Sequence, residues 1–318
     1  MRPARALVAG VGMAVPEGRL TNADLEARVD TSDEWIVERT GIRERRVAGP
    51  DDTTAGLGAA AAAAAIKDAG LTPGDVDLLV VATTTPDQQM PAASALVHDA
   101  IGLRGGALDV GAACAGFVYA LGLAATVIEA GRASTVLVVG AETMSRITDP
   151  DDRGTVVLFG DGAGACLLTA GDGAGAAGLL SWDLGCDGSA ARLLEVPAGG
   201  RYVRMEGSEV FRRAVRVVVD SANAALTGAG LTPGDVDVFV PHQANARIVT
   251  AAAERLGIAP EHVVVNIERY GNTSAASIPI ALTEAAEAGR LADGDVVLLS
   301  GFGAGMTWAS AVLRWGRQ

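Results

Sequence analysis

The chain has 318 residues, of which 49% are apolar and only 4% aromatic, and its formal net charge is −13. This length is sufficient for one large domain or two ordinary ones, each with its own hydrophobic core. The acidic balance argues against broad nucleic-acid binding, which requires a positively charged surface. No run of 18 uncharged apolar residues occurs, so a membrane span is not expected.

The N-terminal segment combines arginines with a short apolar stretch, but it lacks a convincing signal-peptide core and cleavage site. It is interpreted instead as a first strand, Ala6–Gly10, that enters a glycine turn. The three cysteines, Cys114, Cys166 and Cys186, form neither a CxxC pair nor an even disulfide framework. Reduced thiols of this kind favour a cytoplasmic location.

An internal repeat sets the expected architecture. The sequence AGLTPGDVD occurs at 69–77 and again at 229–237, an offset of 160 residues. Each copy follows an alanine-rich helical stretch and precedes an apolar strand, predicted over Leu78–Ala82 and Val238–Val240. Matching elements on both sides of the repeat predict two similar halves, each built from layers of helices and strands.

A second matched pair extends this repeat. The tetrapeptide EAGR occurs at 129–132 and at 287–290, each time between a helix and a strand predicted over Thr135–Val139 or Val296–Ser300. The small, glycine-rich segment 169–178 is interpreted as the boundary. It separates an N-terminal half, 1–170, from a C-terminal half, 171–318.

Cys114 is the leading candidate for a nucleophile. It lies in ALDVGAACAGFVYALGL, where apolar strand residues lead through a small-residue turn into a helix. At a helix N-terminus, the macrodipole and free N–H groups favour a thiolate and can also stabilise an oxyanion. A lone cysteine is more often a small buried hydrophobe, which is the interpretation given to Cys166.

Two further residues complete a catalytic trio. His242 ends a predicted strand in VFVPHQANARI, at the kind of strand end where layered α/β folds bind ligands. Of the other histidines, His98, in a helical stretch, is interpreted as structural or surface, and His262 as part of an exposed turn. Asn272 follows Cys114 by 158 residues, the offset of the EAGR copies, and is predicted to be its repeat equivalent. A local twofold would then bring both helix starts within reach of His242.

A thiol beside a histidine and an asparagine suits acyl transfer through a thioester. A papain-like protease uses the same three residue types in the same chain order. Its local CGSCW signature and a signal peptide are both missing here, and a protease gives no reason for the duplication. Acyl transfer is therefore the favoured chemistry.

At these residues the sequence resembles the β-ketoacyl-acyl-carrier-protein synthase III family of the thiolase superfamily. The resemblance covers nearly the whole chain and rests on TSDEWIVERTGIRER (31–45), AACAGFVYAL (112–121), RGTVVLFGDGAG (153–164), HQANAR (242–247), GNTSAASIP (271–279) and GFGAGMTW (301–308). It implies a five-layered αβαβα thiolase-like fold of two pseudo-twofold-related halves, and a homodimer.

The resemblance also implies a mechanism. Cys114 would accept an acyl group from acyl-coenzyme A, and His242 with Asn272 would polarise the thioester carbonyl of malonyl-acyl-carrier protein as carbon dioxide leaves. The resulting carbanion equivalent would attack the acyl-cysteine thioester, giving a 3-ketoacyl product that starts a fatty acid or polyketide chain. The backbone N–H groups of Cys114 and Ala304 would form the oxyanion hole, and neither a metal nor a redox cofactor is implied.

Substrate contacts follow from the same resemblance. Coenzyme A is expected to contact Thr31, Trp35, Arg39, Arg153, Gly207, Phe211 and Asn245, with its adenine stacked on Trp35 and Arg153. The acyl pocket is expected at Met90, Phe159 and Phe302. Met90 replaces a common phenylalanine and is assigned to the pocket of the dimer partner, which suggests a branched or longer primer. A basic patch for the acidic carrier protein is expected at Arg212, Arg213, Arg216, Arg247 and Arg255.

Two other functions stay open at this point. An acyltransferase on the same fold would load or transfer a starter acyl group without condensation. A non-catalytic protein would only bind the carrier protein. Asn272 favours condensation, and the intact trio argues against a non-catalytic role. The sequence does not determine the acyl primer, or whether the pathway makes fatty acids or a secondary product.

Overall fold

The computed structural model describes residues 5–171 and 177–316, so part of the predicted boundary segment 169–178 lies outside the described residues. The elements of the first part are β1 (Arg5–Ala14), β2 (Arg19–Thr21), α1 (Asn22–Glu26), α2 (Asp33–Thr40), β3 (Glu44–Arg46), α3 (Thr54–Asp68), β4 (Leu78–Ala82), α4 (Ala93–Ile101), β5 (Gly106–Val110), α5 (Gly116–Glu129), β6 (Thr135–Thr143), α6 (Arg153–Val156) and β7 (Asp161–Gly171). Those of the second part are β8 (Gly178–Cys186), β9 (Leu194–Glu195), β10 (Arg204–Met205), α7 (Gly207–Gly228), β11 (Val238–Pro241), α8 (Ala246–Leu256), α9 (Ile267–Tyr270), α10 (Ser277–Glu287), β12 (Val296–Gly303) and β13 (Thr307–Arg314).

Two mixed sheets form the frame of the molecule. The first has the strand order β1–β7–β6–β4–β5 and the second the order β11–β12–β13–β8. All nine residues of β6 are buried, as expected for a strand whose apolar run is covered on both faces. Cys166 lies buried in β7, the structural role predicted for it.

Helices cover both faces of each sheet. The α3 and α4 helices pack on the outer face of the first sheet, α7 and α8 pack on the outer face of the second, and α5 and α10 lie between the sheets. This arrangement confirms the predicted αβαβα layers. Within residues 5–171 and 177–316, no helix combines the length and the apolar character needed to cross a membrane.

Small residues set the spacing between helix and sheet. The α3 sequence TAGLGAAAAAAAIKD is largely alanine, and it packs on the glycines of β1. A Cβ added to Gly10 would lie 2.3 Å from the carbonyl oxygen of Ala65, and one added to Gly12 would lie 2.4 Å from the Ala65 nitrogen. The backbones of helix and strand therefore approach more closely than any larger side chain would allow.

The two AGLTPGDVD copies form the same local structure. In each, a threonine (Thr72 or Thr232) and an aspartate three residues later form a capping box around a short 3₁₀ turn. The following aspartate then bonds the first N–H of the next parallel strand, at 3.1 Å from Asp77 to Thr135 and 2.8 Å from Asp237 to Val296. The repeat thus fixes how each pair of parallel strands begins.

The starts of α5 and α10 show that one prediction was wrong. Each helix follows a three-residue 3₁₀ turn, and the turns begin at Ala113 (φ 47°) and Ser274 (φ 48°). Cys114 therefore matches Ala275, whereas Asn272 lies two residues before its turn. The reason is a length difference: α10 has 11 residues and α5 has 14, so the 158-residue offset applies only where the helices end.

Candidate active site

An open cavity of about 470 Å³ contains the predicted trio, since Cys114, His242 and Asn272 all line it. Each residue comes from a different part of the fold. Cys114 lies in the turn before α5, His242 follows the last residue of β11, and Asn272 lies in the loop before α10. His98 and His262 do not line this cavity, and each ring instead bonds a backbone carbonyl, at 3.0 Å and 2.6 Å respectively.

The Cys114 thiol is buried and protonated. Its side chain donates a hydrogen bond to the Ser274 hydroxyl, with 3.3 Å between Sγ and Oγ. Burial raises the pKa of Cys114 to about 12, and the nearby Glu142 carboxylate raises it further. The predicted thiolate was therefore wrong for this state of the protein, because desolvation outweighs the N–H groups at the start of the helix.

Two residues that the sequence reasoning missed lie behind the thiol. The Ser274 hydroxyl donates to Oε1 of Glu142 at 2.9 Å, and this carboxyl group is fully buried. Glu142 also accepts from the Thr84 N–H at 3.0 Å and the Thr85 hydroxyl at 2.6 Å. Burial raises the pKa of Glu142 above its ordinary value. The available signal was an acidic residue within an otherwise apolar strand, TVLVVGAET.

His242 is a buried, neutral imidazole. Its backbone N–H donates to the Ser300 carbonyl at 2.8 Å, which continues the pairing of β11 with β12. The ring meets Phe302 edge-on, with 5.5 Å between centroids. Its Nδ1 has no hydrogen-bond partner among the described residues, and burial lowers the pKa of His242 to about 3. At neutral pH the ring can donate one hydrogen bond without carrying charge.

Asn272 is fixed by its backbone. Its N–H donates to the Leu158 carbonyl at 2.8 Å, and its own carbonyl accepts from the Gly160 N–H at 3.0 Å. The side-chain oxygen accepts from the Ser274 N–H at 2.9 Å. With that oxygen engaged, the amide NH₂ is the group that Asn272 can offer to a ligand in the cavity.

Glycine forms the cavity wall beside the Cys114 backbone. Gly303 lines the cavity, and a Cβ there would lie 2.5 Å from the Cys114 nitrogen. Any side chain at this position would therefore collide with the backbone of the turn that carries the thiol. Ala304 does not line the cavity, and its carbonyl accepts from the Thr307 hydroxyl at 3.1 Å. Its assignment to the oxyanion hole stays a prediction.

Comparison with known proteins identifies the family. The 3-oxoacyl-[acyl-carrier-protein] synthase III model matches residues 108–188, and the model of its C-terminal domain matches residues 226–315. A β-ketoacyl-[acyl-carrier-protein] synthase III of Mesorhizobium japonicum is 50% identical, over 98% of this chain and 99% of its own. The chain belongs to the 3-oxoacyl-[acyl-carrier-protein] synthase III family.

Solved structures agree with this assignment. The 3-oxoacyl-[acyl-carrier-protein] synthase III of Aquifex aeolicus VF5 matches with a TM-score of 0.95 at 44% identity, over 98% of this chain and 100% of that one. The priming β-ketosynthase of the R1128 polyketide pathway matches with a TM-score of 0.91 at 40% identity, over 99% and 98%. These matches confirm the predicted fold and the predicted enzyme class, an acyltransferase of the ketoacyl synthase III type.

Five of the seven residues expected to contact coenzyme A line the cavity of this synthase: Trp35, Arg39, Gly207, Phe211 and Asn245. The exceptions are Thr31 and Arg153. Arg153 nevertheless lies beside the cavity, since its guanidinium carbon is 4.7 Å from the centroid of the Trp35 ring. The guanidinium carbon of Arg39 lies 4.8 Å from the same centroid. An adenine can stack between Trp35 and Arg153 only if the guanidinium first moves away from the ring.

The predicted acyl pocket is divided. Phe159 and Phe302 are buried and line the cavity. Met90 does not line it, and its side chain is 86% exposed. Within a single chain, the cavity is therefore built without Met90, and its assignment to the pocket of a second copy stays a prediction.

The five arginines of the predicted carrier-protein patch do not form one uninterrupted basic surface. Arg212 pairs with Glu209, and Arg213 pairs with Asp187 at 3.2 Å. Arg216 lines a shallow cleft together with Asp183 and Asp220. Arg247 and Arg255 are exposed on α8, and only Arg247 lines the active-site cavity, where its guanidinium carbon lies 5.4 Å from the centroid of the Phe211 ring.

Proposed function

We propose that this synthase condenses an acyl-coenzyme A primer with malonyl-acyl-carrier protein, releasing carbon dioxide and giving a 3-ketoacyl-carrier protein. We assign the chemistry to Cys114, His242 and Asn272. The observation that carries this proposal is the meeting of a thiol with two neutral hydrogen-bond donors in one cavity. Membership of the synthase III family supports the reaction class, and the R1128 relative makes polyketide priming a possible setting.

The first half-reaction is acyl transfer to sulfur. Sγ of Cys114 attacks the thioester carbonyl of the primer, and the coenzyme A thiolate leaves. The negative charge that develops on the carbonyl oxygen requires hydrogen-bond donors. We assign this role to the backbone N–H of Cys114, against which Gly303 places no side chain, and to that of Ala304.

The second half-reaction is decarboxylative condensation. Loss of carbon dioxide from the malonyl group places negative charge on its thioester oxygen. A neutral imidazole at His242 and the amide NH₂ of Asn272 suit this step, because both donate hydrogen bonds without a proton being transferred. The low pKa of His242, about 3, keeps the imidazole neutral throughout the physiological range. The enolate carbon then attacks the acyl group on Cys114, and the cysteine leaves.

The primer reaches sulfur along the cavity. The same cavity is lined by Cys114 and by five of the residues assigned to coenzyme A: Trp35, Arg39, Gly207, Phe211 and Asn245. Arginine suits the nucleotide phosphates, and the Trp35 ring suits an adenine face. Asn245 is held in place because its side chain donates to the Arg39 carbonyl at 2.9 Å and caps α8 through the Arg247 N–H at 2.9 Å. Thr31 and Arg153 complete the proposed set around the nucleotide.

We assign a homodimer to the free edge of the first sheet. β5 is its edge strand, and three of its five residues, including Leu108, are exposed. A second copy that paired along this edge would cover those groups. Met90, 86% exposed, is the residue we expect to reach the acyl pocket of that copy. Because methionine adapts its shape readily, a branched or longer primer is expected.

The carrier protein is expected at the mouth of the cavity, near Arg247. This arginine belongs both to the predicted patch and to the cavity lining, so a bound carrier protein would deliver its acyl chain toward Cys114. Arg212, Arg213, Arg216 and Arg255 are assigned to the same docking face, where an acidic partner would compete with the local carboxylates. No disulfide joins the three cysteines of the described structure, which suits a cytoplasmic enzyme.

Mass spectrometry of the intact protein tests the assignment. Wild-type enzyme incubated with acetyl- or isobutyryl-coenzyme A should gain one acyl group, and Cys114→Ala should gain none. Asn272→Ala should still be acylated but should lose condensation by about 10²–10³-fold, the usual effect of removing one oxyanion donor. If wild-type enzyme is acylated but releases no carbon dioxide from malonyl-carrier protein, it is an acyltransferase without condensing activity.

A further inference from the structure

The proposed mechanism leaves one proton without a destination. Cys114 must lose its thiol proton before or during attack, and its pKa of about 12 means that almost none is lost spontaneously at neutral pH. Sγ of Cys114 donates a hydrogen bond to the Ser274 hydroxyl. That hydroxyl in turn donates to Glu142. A continuous line of donors thus runs from the thiol to a carboxylate.

The surroundings of Glu142 suit a proton acceptor. The carboxylate accepts from the hydroxyl groups of Thr83, Thr84 and Thr85 at 3.3, 3.0 and 2.6 Å, and from the Ala275 N–H at 3.4 Å. All of these donors are uncharged, and in the described part of the chain no cation forms a salt bridge with Glu142. Without a cation to stabilise its charge, a fully buried carboxylate takes up a proton readily.

His242, the usual alternative, is a poor acceptor here. Its pKa of about 3 makes the imidazole a much weaker base than an ordinary histidine. The hydrogen bond from Cys114 goes to Ser274 rather than to this ring. His242 is thus suited to donating a hydrogen bond to the enolate, and the proton must go elsewhere.

We propose that Ser274 and Glu142 form a proton relay that activates Cys114. This inference rests on the proposed function, in which Cys114 is the acylated nucleophile. As Sγ bonds to the acyl carbon, its proton passes to Oγ of Ser274, and the Ser274 proton passes to Oε1 of Glu142. The coenzyme A thiolate leaves and is protonated by solvent. Ser274 contacts the reacting sulfur, whereas Glu142 acts only through Ser274.

The relay also runs in reverse when the product forms. The attack of the enolate expels Cys114 as a thiolate, which recovers a proton from Ser274 while Ser274 recovers one from Glu142. The carboxyl group therefore holds the proton for the lifetime of the acyl-enzyme. Over one turnover Glu142 is unchanged, and the single proton consumed is the one that coenzyme A takes from solvent. A carboxyl group that is fully buried, as Glu142 is, is suited to holding that proton.

Ser274→Ala is the variant that tests the relay most directly. Ser274 has φ 48°, and the matching position, Ala113, has φ 47°, so the fold already accepts alanine in this turn conformation. Glu142 keeps its bonds to the threonines of the loop after β4 in this variant. Glu142→Gln is the complementary change, since it preserves the side-chain length but removes the basic carboxylate.

The rate of Cys114 acylation by acetyl-coenzyme A should be measured by rapid quench and intact mass from pH 6.5 to 9. Uncharged groups of Thr83, Thr84, Thr85, Ser274 and Ala275 donate to Glu142. The titratable group beside them is the Cys114 thiol, whose pKa the Glu142 charge raises. Wild type should therefore give a nearly flat profile. Both variants should lose about 10²-fold at pH 7, the usual effect of general-base catalysis, and should gain about tenfold per pH unit as hydroxide replaces the relay.

A loss of equal size at every pH in both variants would overturn the relay, because it would show that Ser274 and Glu142 only position the sulfur. Wild-type rates in Ser274→Ala would also overturn it. A His242→Ala variant tests the alternative base. If acylation shows a pH-dependent loss in His242→Ala but not in the two relay variants, the proton goes to His242. If wild-type Cys114 is never acylated, the proposed function fails instead, which separates the two results.

Discussion

The two helix-start turns show how one backbone supports two chemical roles. Cys114 and Ala275 occupy the same position in turns whose first residues share a left-handed φ near 47°. The second strand of each parallel pair, β6 or β12, brings a different group to the turn of the opposite half. Glu142, six residues after Val136, accepts from the Ala275 N–H at 3.4 Å. Gly303, six residues after Val297, lies beside the N–H of Cys114 and has no side chain to place there.

This difference explains why only one half carries the nucleophile. In the second half a carboxylate occupies the N–H that a substrate oxygen would need. In the first half the matched residue is a glycine, which places no side chain against that N–H, and the thiol beside it lines the cavity. The duplication thus supplies the frame, and single residues at matched positions decide which side binds substrate and which side holds a buried charge.

The largest expected effect comes from moving the thiol to its matched position. Ala275 is 1% exposed and packs in the core between the sheets, whereas Cys114 lines the cavity. The double variant Cys114→Ala/Ala275→Cys should therefore incorporate acyl groups at least about 10³-fold more slowly than wild type. Intact mass after incubation with acetyl-coenzyme A gives the measurement. The single variant Ala275→Cys controls for tolerance of the added sulfur, and acylation at position 275 would contradict the comparison.

A smaller loss is expected when a side chain is placed against that N–H. Gly303→Ala would place a Cβ 2.5 Å from the Cys114 nitrogen, so the turn would have to shift and the proposed oxyanion donor would be displaced. Acylation should fall by about 10²-fold, as for the loss of one oxyanion donor. Gly188→Ala is the matched control, because nothing lies within 4 Å of a Cβ there. Acylation of Gly303→Ala within twofold of wild type would remove Gly303 from the explanation.

Matched glycines also hold the two turns against the sheets. A Cβ on Gly140 would lie 2.3 Å from the Ala275 carbonyl oxygen, and one on the equivalent Gly301 would lie 3.3 Å from that of Cys114. We expect Gly140→Ala to lower the free energy of unfolding by about 3 kcal/mol and Gly301→Ala by about 1 kcal/mol. Urea midpoints of the purified variants give the ranking. The opposite order would mean that the closeness of these two contacts does not decide the loss of stability.

The sequence predicted most of this frame because the repeat is a local signal. AGLTPGDVD encodes its own capping box, and the predicted strand Leu78–Ala82 matches β4 at both ends. The error over Asn272 arose where α10 is three residues shorter than α5, which an offset counted elsewhere does not reveal. Ser274 and Glu142 were missed because their roles depend on contacts between residues 132 positions apart.

The smallest expected effect concerns the pH dependence of stability, and it distinguishes the buried groups of the two halves. Below pH 6.5 the unfolded chain protonates His242, whereas the folded chain, with a His242 pKa of about 3, does not. Stability should therefore fall as the pH drops from 6.5 toward 3, and His242 should account for about 2 kcal/mol at pH 5. Glu142 acts in the opposite direction. Because its pKa is raised above the ordinary value of 4.5, the folded chain binds this proton more readily than the unfolded chain, so Glu142 adds stability as the pH falls.

Urea unfolding should show that the free energy of unfolding of the wild type falls between pH 7.5 and pH 5. In His242→Gln, which removes the imidazole, this fall should be smaller by about 2 kcal/mol. All other titrating groups are common to the two proteins, so the difference between their losses isolates His242. An unchanged loss would mean that the imidazole is protonated in the folded enzyme at pH 5. His242 would then be an ordinary base, and the relay would rest only on the hydrogen bonds from Cys114 through Ser274 to Glu142.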